Sequence, residues 1–114
     1  MTEYTLDNLP AGAFDMSPEN AHALLEANSG ICLVDVREPD EFLQGYIRGA
    51  MLLPLGEILQ GSTEGLPEER DTPLFVYCRS GKRSATAAEV LAAQGYRHVA
   101  NIGGVLDWPF GLVK

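Results

Sequence analysis

Residues 78 to 84 read Cys-Arg-Ser-Gly-Lys-Arg-Ser, a thiol set directly before three cations and a glycine. Leu74, Phe75, Val76 and Tyr77 precede it and suit a buried strand, while the alanine-rich stretch from Ser84 to Gln94 suits a helix ended by Gly95. A strand–cysteine–loop–helix unit aims unpaired backbone N–H groups at the sulfur. The helix N-terminus adds about half a positive charge. Such a place favours an anion, either a thiolate or a group attached to it. Gly81 allows a left-handed turn that a side chain would resist. Arg79, Lys82 and Arg83 bring full charges, and Ser80 and Ser84 complete the loop.

The electrostatic requirement is modest. A free cysteine has a pKa near 8.5, so about 3% is thiolate at neutral pH. Making the thiolate the major form takes a fall of roughly two pH units, about 2.7 kcal/mol of differential stabilisation. A helix N-terminus with nearby cations is able to supply that without a histidine base. Cys32, inside Ile-Cys-Leu-Val-Asp-Val with no cation near it, reads instead as a small buried hydrophobe.

Other chemistries fail on spacing. A phosphate-binding P-loop needs glycine where Val76 stands and Ser or Thr where Arg83 follows Lys82. A dithiol redox motif needs a second cysteine at Gly81. His22 and His98 are scattered and, with two cysteines, form no zinc pattern, so they read as surface or internally satisfied histidines and no metal is expected.

The elements that must position this loop alternate along 114 residues, a length for one domain. An irregular arm is expected over 1 to 12 and a single domain over 13 to 114, with a short strand from about Ala13. Ser17 as cap, Pro18 at the first helical position and Gly30 beyond the end mark a helix whose buried stripe is mainly Leu24 and Leu25. Residues 31 to 36, apolar but for Asp35, suit a strand buried on both faces. A short helix follows between Pro39 and Gly45, then a strand closed by Pro54, then a turn or two of helix at 55 to 60. Residues 61 to 73 are polar and breaker-rich, a surface loop. After the 74–77 strand and the helix from Ser84, a last strand at 98 to 102 leads to a Gly-Gly turn and a tail. Strands alternating with helices imply an α/β fold, a small mostly parallel sheet covered on both faces. In such sheets ligands sit at the carboxyl ends of the strands, where Cys78 falls.

The chain has 16 Asp and Glu against 8 Lys and Arg, a net charge of -8. A surface of that sign repels nucleic acid and anionic membrane, so neither is an expected partner. The N-terminal residues carry acids and no apolar run, unlike a signal or transit peptide, and no segment reaches membrane-spanning length. A cytoplasmic location is expected.

At three separated places the chain resembles the rhodanese family in its single-domain form. Cys-Arg-Ser-Gly-Lys-Arg-Ser resembles the family's active-site loop. The stretch from Leu33 to Pro54 resembles its upstream signature through Asp35, Val36, Arg37, Glu38, Glu41, Phe42, Gly45, Ile47, Gly49 and Ala50, and Asn101 to Trp108 resembles its Gly-Gly and tryptophan segment. Tyr46 and Arg48 depart from the His and Pro common in the family; both positions look like fold markers.

The resemblance implies a rhodanese-like fold and sulfur transfer without metal or organic cofactor. Cys78 would take the outer sulfur of thiosulfate or another persulfide donor, and the 79–83 amides with the helix near Ser84 would hold the resulting persulfide. Cyanide or a thiol would then remove it. Arg79, Lys82 and Arg83 would attract anionic donors. Asp35 and Arg37 are expected to be structural, a charge-assisted pair or cap at the strand end. Two alternatives share this loop: a persulfide carrier loaded and unloaded by protein partners, and arsenate reductase or phosphatase chemistry. A cysteine phosphatase places arginine six positions after the cysteine, where Ser84 stands, so the spacing argues against the phosphatase.

Overall fold

In a computed structural model describing residues 3–114, the elements run β1 (Gly12–Asp15), α1 (Pro18–Ala27), β2 (Cys32–Asp35), α2 (Pro39–Gln44), β3 (Met51–Leu52), α3 (Leu55–Leu59), β4 (Leu74–Cys78), α4 (Lys82–Ala93) and β5 (His98–Gly104), followed by a 3-10 turn at Val105–Asp107. The strands form one sheet in the order β1-β5-β4-β2-β3, and every pairing is parallel. The α/β class is as expected from the alternation of elements.

β4 occupies the centre, with all five residues buried. Successive side chains of a strand point to opposite faces, so its uniformly apolar run feeds two cores. Leu74, Val76 and Cys78 join Ile58 of α3 and Ala87, Ala88 and Leu91 of α4 on one face. Phe75 and Tyr77 join Ala21 of α1, Ile102 and Trp108 on the other, with Leu24 and Leu25 packed against them half-buried. Cys78 therefore belongs to the face that α4 covers.

The helix starts follow local chemistry. Ser17 caps α1 by accepting the Asn20 N–H at 3.1 Å. Glu38 and Glu41 form a reciprocal capping box on α2 with Pro39 at its first position. Of the bounds that differ from expectation, two shape the Cys78 loop. α4 begins at Lys82 rather than near Ser84, because Gly81 adopts φ 98° and serves as its N-cap. β5 continues through Gly103 and Gly104 instead of turning there, because the Gly104 backbone still pairs with Cys78.

The expected arm, 1 to 12, begins with two residues outside those described. From Tyr4 onward it docks against α1: the Asn20 side chain accepts the Tyr4 N–H at 2.6 Å and donates to the Tyr4 carbonyl at 2.9 Å. Tyr4 meets Phe14 edge-on and Leu9 is buried. Among the described residues no helix is long and apolar enough to cross a membrane.

Candidate active site

Cys78 ends β4 at 1% exposure, so its sulfur is both a core atom and the floor of the loop that follows. The Gly81 N–H points at Sγ from 3.0 Å, and the Ser84 N–H and Ser84 Oγ each lie 3.4 Å from it. Burial pushes the thiol up, but the Ser84 hydroxyl and amide, then the Gly81 and Ser80 amides, outweigh it and bring Cys78 below its ordinary value. The amides facing Sγ come from residues 80, 81 and 84. Half-buried Cys32 lacks these donors, and burial raises its thiol.

The cations do not act as a group. Arg79 and Lys82 are exposed. Arg83, expected to attract anions with them, is instead forked onto Glu41 of α2, with Nη1–Oε1 at 2.8 Å and Nη2–Oε2 at 2.9 Å. Its charge is largely committed to that carboxylate. The Arg83 contact, reinforced by the Glu38 N–H, holds the Glu41 carboxyl down at about 2. Arg83 therefore ties the α4 end of the loop to α2.

Asp35 and Arg37 lie at the carboxyl end of β2, at 0% and 5% exposure. Arg37 donates through Nε and Nη2 to the Asp35 carboxylate, at 2.7 Å for the shortest contact, and through Nη2 to the Gly45 carbonyl at 2.7 Å. The pair fastens β2 to the end of α2 and makes no hydrogen bond to the Cys78 loop. Tyr77, on the sheet face opposite Cys78, accepts the Ile47 N–H at 3.0 Å, and burial is the main cause of its raised hydroxyl pKa. His22 stacks on Phe110 at 3.7 Å, and His98 Nδ1 lies 2.9 Å from the Pro10 carbonyl.

Two residues that complete the loop went unread as site residues. Asn101 of β5 accepts from Ser84 Oγ at 2.7 Å and from the Gly103 N–H at 3.1 Å, and donates to the Gly81 carbonyl at 3.1 Å. The available signal was its position, an amide inside the apolar strand segment Val99–Ile102, because a polar side chain there needs partners. Strand alternation aims it, on the same α4-facing side of β5 as Val99; beyond it the register shifts, β4 advancing two residues and β5 three from Val76–Asn101 to Cys78–Gly104. Gly104 is the second. A Cβ there would overlap the Arg79 carbonyl, and the Leu106 N–H donates to that same carbonyl at 3.1 Å. The Gly-Gly segment is thus the wall against which residues 79 and 80 lie.

A buried thiol below its ordinary pKa, ringed by inward-pointing donors, is a nucleophile prepared to carry negative charge or a small anionic group. The model of the rhodanese-like domain matches residues 17–109. The chain is 38% identical over 81 residues to thiosulfate sulfurtransferase PspE of Escherichia coli, covering 71% of this chain and 77% of the relative. It is 38% identical over 95 residues to a sulfurtransferase of Allochromatium vinosum, covering 82% and 86% respectively. A rhodanese-like domain protein from Staphylococcus aureus superposes with TM-score 0.74 at 27% identity, over 90% of this chain and 96% of that one.

Proposed function

The chain belongs to the rhodanese-like family, and from that premise we propose that it is a sulfurtransferase working through a Cys78 persulfide. The observation that carries the reading is the set of donors on Sγ: the Gly81 amide at 3.0 Å and the Ser84 amide and hydroxyl at 3.4 Å. Relatives named as thiosulfate sulfurtransferases make thiosulfate the first donor to consider.

The Cys78 thiolate attacks the outer sulfur of thiosulfate. A sulfur–sulfur bond forms to Sγ, the bond to the sulfonate breaks, and sulfite leaves with the electron pair. The terminal sulfur of the Cys78 persulfide now carries the negative charge. The unpaired amides of the loop and of the first turn of α4 stabilise it as an oxyanion hole stabilises oxygen. A thiolate or cyanide then attacks that terminal sulfur and departs with it, and the electron pair of the broken bond returns to Sγ. No net oxidant enters the cycle. Arg79 and Lys82, the exposed cations of the loop, draw anionic donors toward it, and added salt weakens that attraction. With Arg83 engaged by Glu41, the attraction rests on two charges rather than three.

Incubation with thiosulfate, followed by intact mass without reductant, tests the reading. The expected result is a gain of one sulfur atom on the wild type and none on Cys78→Ser. Wild-type protein that gains no sulfur from thiosulfate or from a small persulfide sinks it.

A further inference from the structure

The donors on Cys78 are themselves held by a residue from another strand. Ser84 Oγ has one hydrogen and three acceptors within reach: Asn101 Oδ1 at 2.7 Å, the Gly103 carbonyl at 3.3 Å and Cys78 Sγ at 3.4 Å. A serine in a helix ordinarily turns its hydroxyl to a carbonyl one turn back. Here the Gly81 carbonyl already accepts from the Ala85 N–H at 3.1 Å and from Asn101 Nδ2 at 3.1 Å. The Asn101 amide thus grips both Gly81 and Ser84, the residues whose groups point at the sulfur. Ser84 itself is fully buried, so no water competes for its hydroxyl.

We propose that Asn101 is the positioning residue of this site: it parks the Ser84 hydroxyl hydrogen beside Sγ, to be released to the sulfur only when the sulfur is charged. While Cys78 is a thiol or a persulfide, Sγ is neutral and the hydrogen rests on Asn101 Oδ1. When the bond from Sγ to the terminal sulfur breaks and the electron pair returns to Sγ, the hydroxyl turns to the thiolate. Its covalent O–H bond stays intact, and Asn101 keeps the Gly103 N–H as partner. Asn101 touches no reacting atom and acts through Ser84.

Asn101 is uncharged, so its removal leaves the local charges as they are. These are Arg79 and Lys82 on the loop, Arg83 of α4 paired with Glu41 beside Glu38, Asp35 with Arg37 at the end of β2, and Asp15 and Asp107 in the groove beside residues 80 to 82. A changed titration of Cys78 then reports the hydrogen bond.

The inference rests on Cys78 acting as the thiolate nucleophile, and titration of the free thiol keeps it separable from the sulfur-loading test. Protein carrying Cys32→Ala is titrated by thiolate ultraviolet absorbance, alone and with Ser84→Ala, Asn101→Ala and both. Ser84→Ala is expected to raise the Cys78 midpoint by roughly one pH unit, the worth of one hydrogen bond to a charged group. Asn101→Ala removes the acceptor that competes with the sulfur for the Ser84 hydrogen and should lower the midpoint. The double variant should titrate close to Ser84→Ala, because without the hydroxyl Asn101 has no hydrogen to hold. An unmoved or raised midpoint in Asn101→Ala, or a fall that persists in full in the Ser84→Ala background, overturns the proposal. If Asn101→Ala does not fold, Asn101→Asp keeps the length and the accepted bonds, and its carboxylate holds the Ser84 hydrogen more tightly. Its rise should shrink in the Ser84→Ala background to what its charge alone produces; equal rises in both backgrounds overturn the proposal. A protein that fails to load sulfur yet shows this coupling would refute the sulfurtransferase reading and leave the role of Asn101 standing.

Discussion

Gly103 and Gly104 are adjacent but differ both in backbone conformation and in what surrounds them, which makes them complementary probes. Gly104 sits at φ −143°, extended backbone that any residue adopts, so alanine there meets no conformational penalty. Its Cβ, however, would overlap the carbonyl of Arg79, and the next nearest atom is the Ser80 nitrogen at 2.5 Å. Real Cβ atoms essentially never come closer than 3.0 Å, and the obstacle is backbone, so the loop itself must move. A displacement on the order of 1 Å at residues 79 and 80 detunes the donors over Cys78, and misplacement of that size is worth about 100-fold in rate. Overpacking of this kind costs about 1–3 kcal/mol, a fall in melting temperature of roughly 5–15 °C for a chain of this length. Gly103 presents the opposite case. Its φ of +96° strains a side chain, but a Cβ there meets nothing within 4 Å. Gly103→Ala should cost about 1–2 kcal/mol and leave the loop in place. Stopped-flow measurement of sulfite release from thiosulfate, with a thermal melt of each variant, separates the two effects. Gly104→Ala is expected to melt lower and to load sulfur about 100 times more slowly, while Gly103→Ala melts lower but loads at close to the wild-type rate. A Gly104→Ala protein loading sulfur at the Gly103→Ala rate would refute the claim that the Gly-Gly wall sets the loop's position.

Two further outcomes follow from the ion pairs. The Glu41 carboxyl falls from 4.5 to about 2 in the fold, so its pairing with Arg83 stabilises fully above pH 4.5 and that contribution is lost as pH drops through 2. Discounted for its partial exposure, the pair is worth about 1 kcal/mol, and urea unfolding of wild type and Glu41→Gln should differ by that much at pH 6 and converge near pH 2. Arg37→Ala leaves the Asp35 carboxylate buried without its cation, and the loss should be about 3–5 kcal/mol in urea unfolding, with Asp35→Ala comparable; a loss below about 1 kcal/mol for both would mean the pair is not holding β2 to α2.

Much of this protein was legible from its order of residues. The β4–loop–α4 unit is written in one continuous stretch: apolar residues for a buried strand, Cys78, a glycine for the left-handed turn at residue 81, then alanines for the helix. Helix starts at Ser17 and Pro39 were equally local. These features depend on backbone geometry and on hydrogen bonds between residues a few positions apart, so the chain specifies them wherever it is placed. The alternation of such elements implied a parallel sheet, and a parallel sheet implied that Cys78 lies at its ligand-binding end.

What only the tertiary structure decided was which polar groups meet. Arg83 reads as one of three free cations until α2 brings Glu41, 42 residues earlier, against it. Asn101 reads as an ordinary residue of an apolar strand until the pairing of β5 beside β4 brings it against Ser84 and Gly81. Gly104 reads as a turn residue until the Arg79 carbonyl occupies the space its side chain would need. Charge sign, polarity and side-chain volume are properties of single residues. Whether a charge is spent, an amide satisfied or a methyl group excluded depends on neighbours that approach only when β4 has paired with β5 on one side and with β2 on the other.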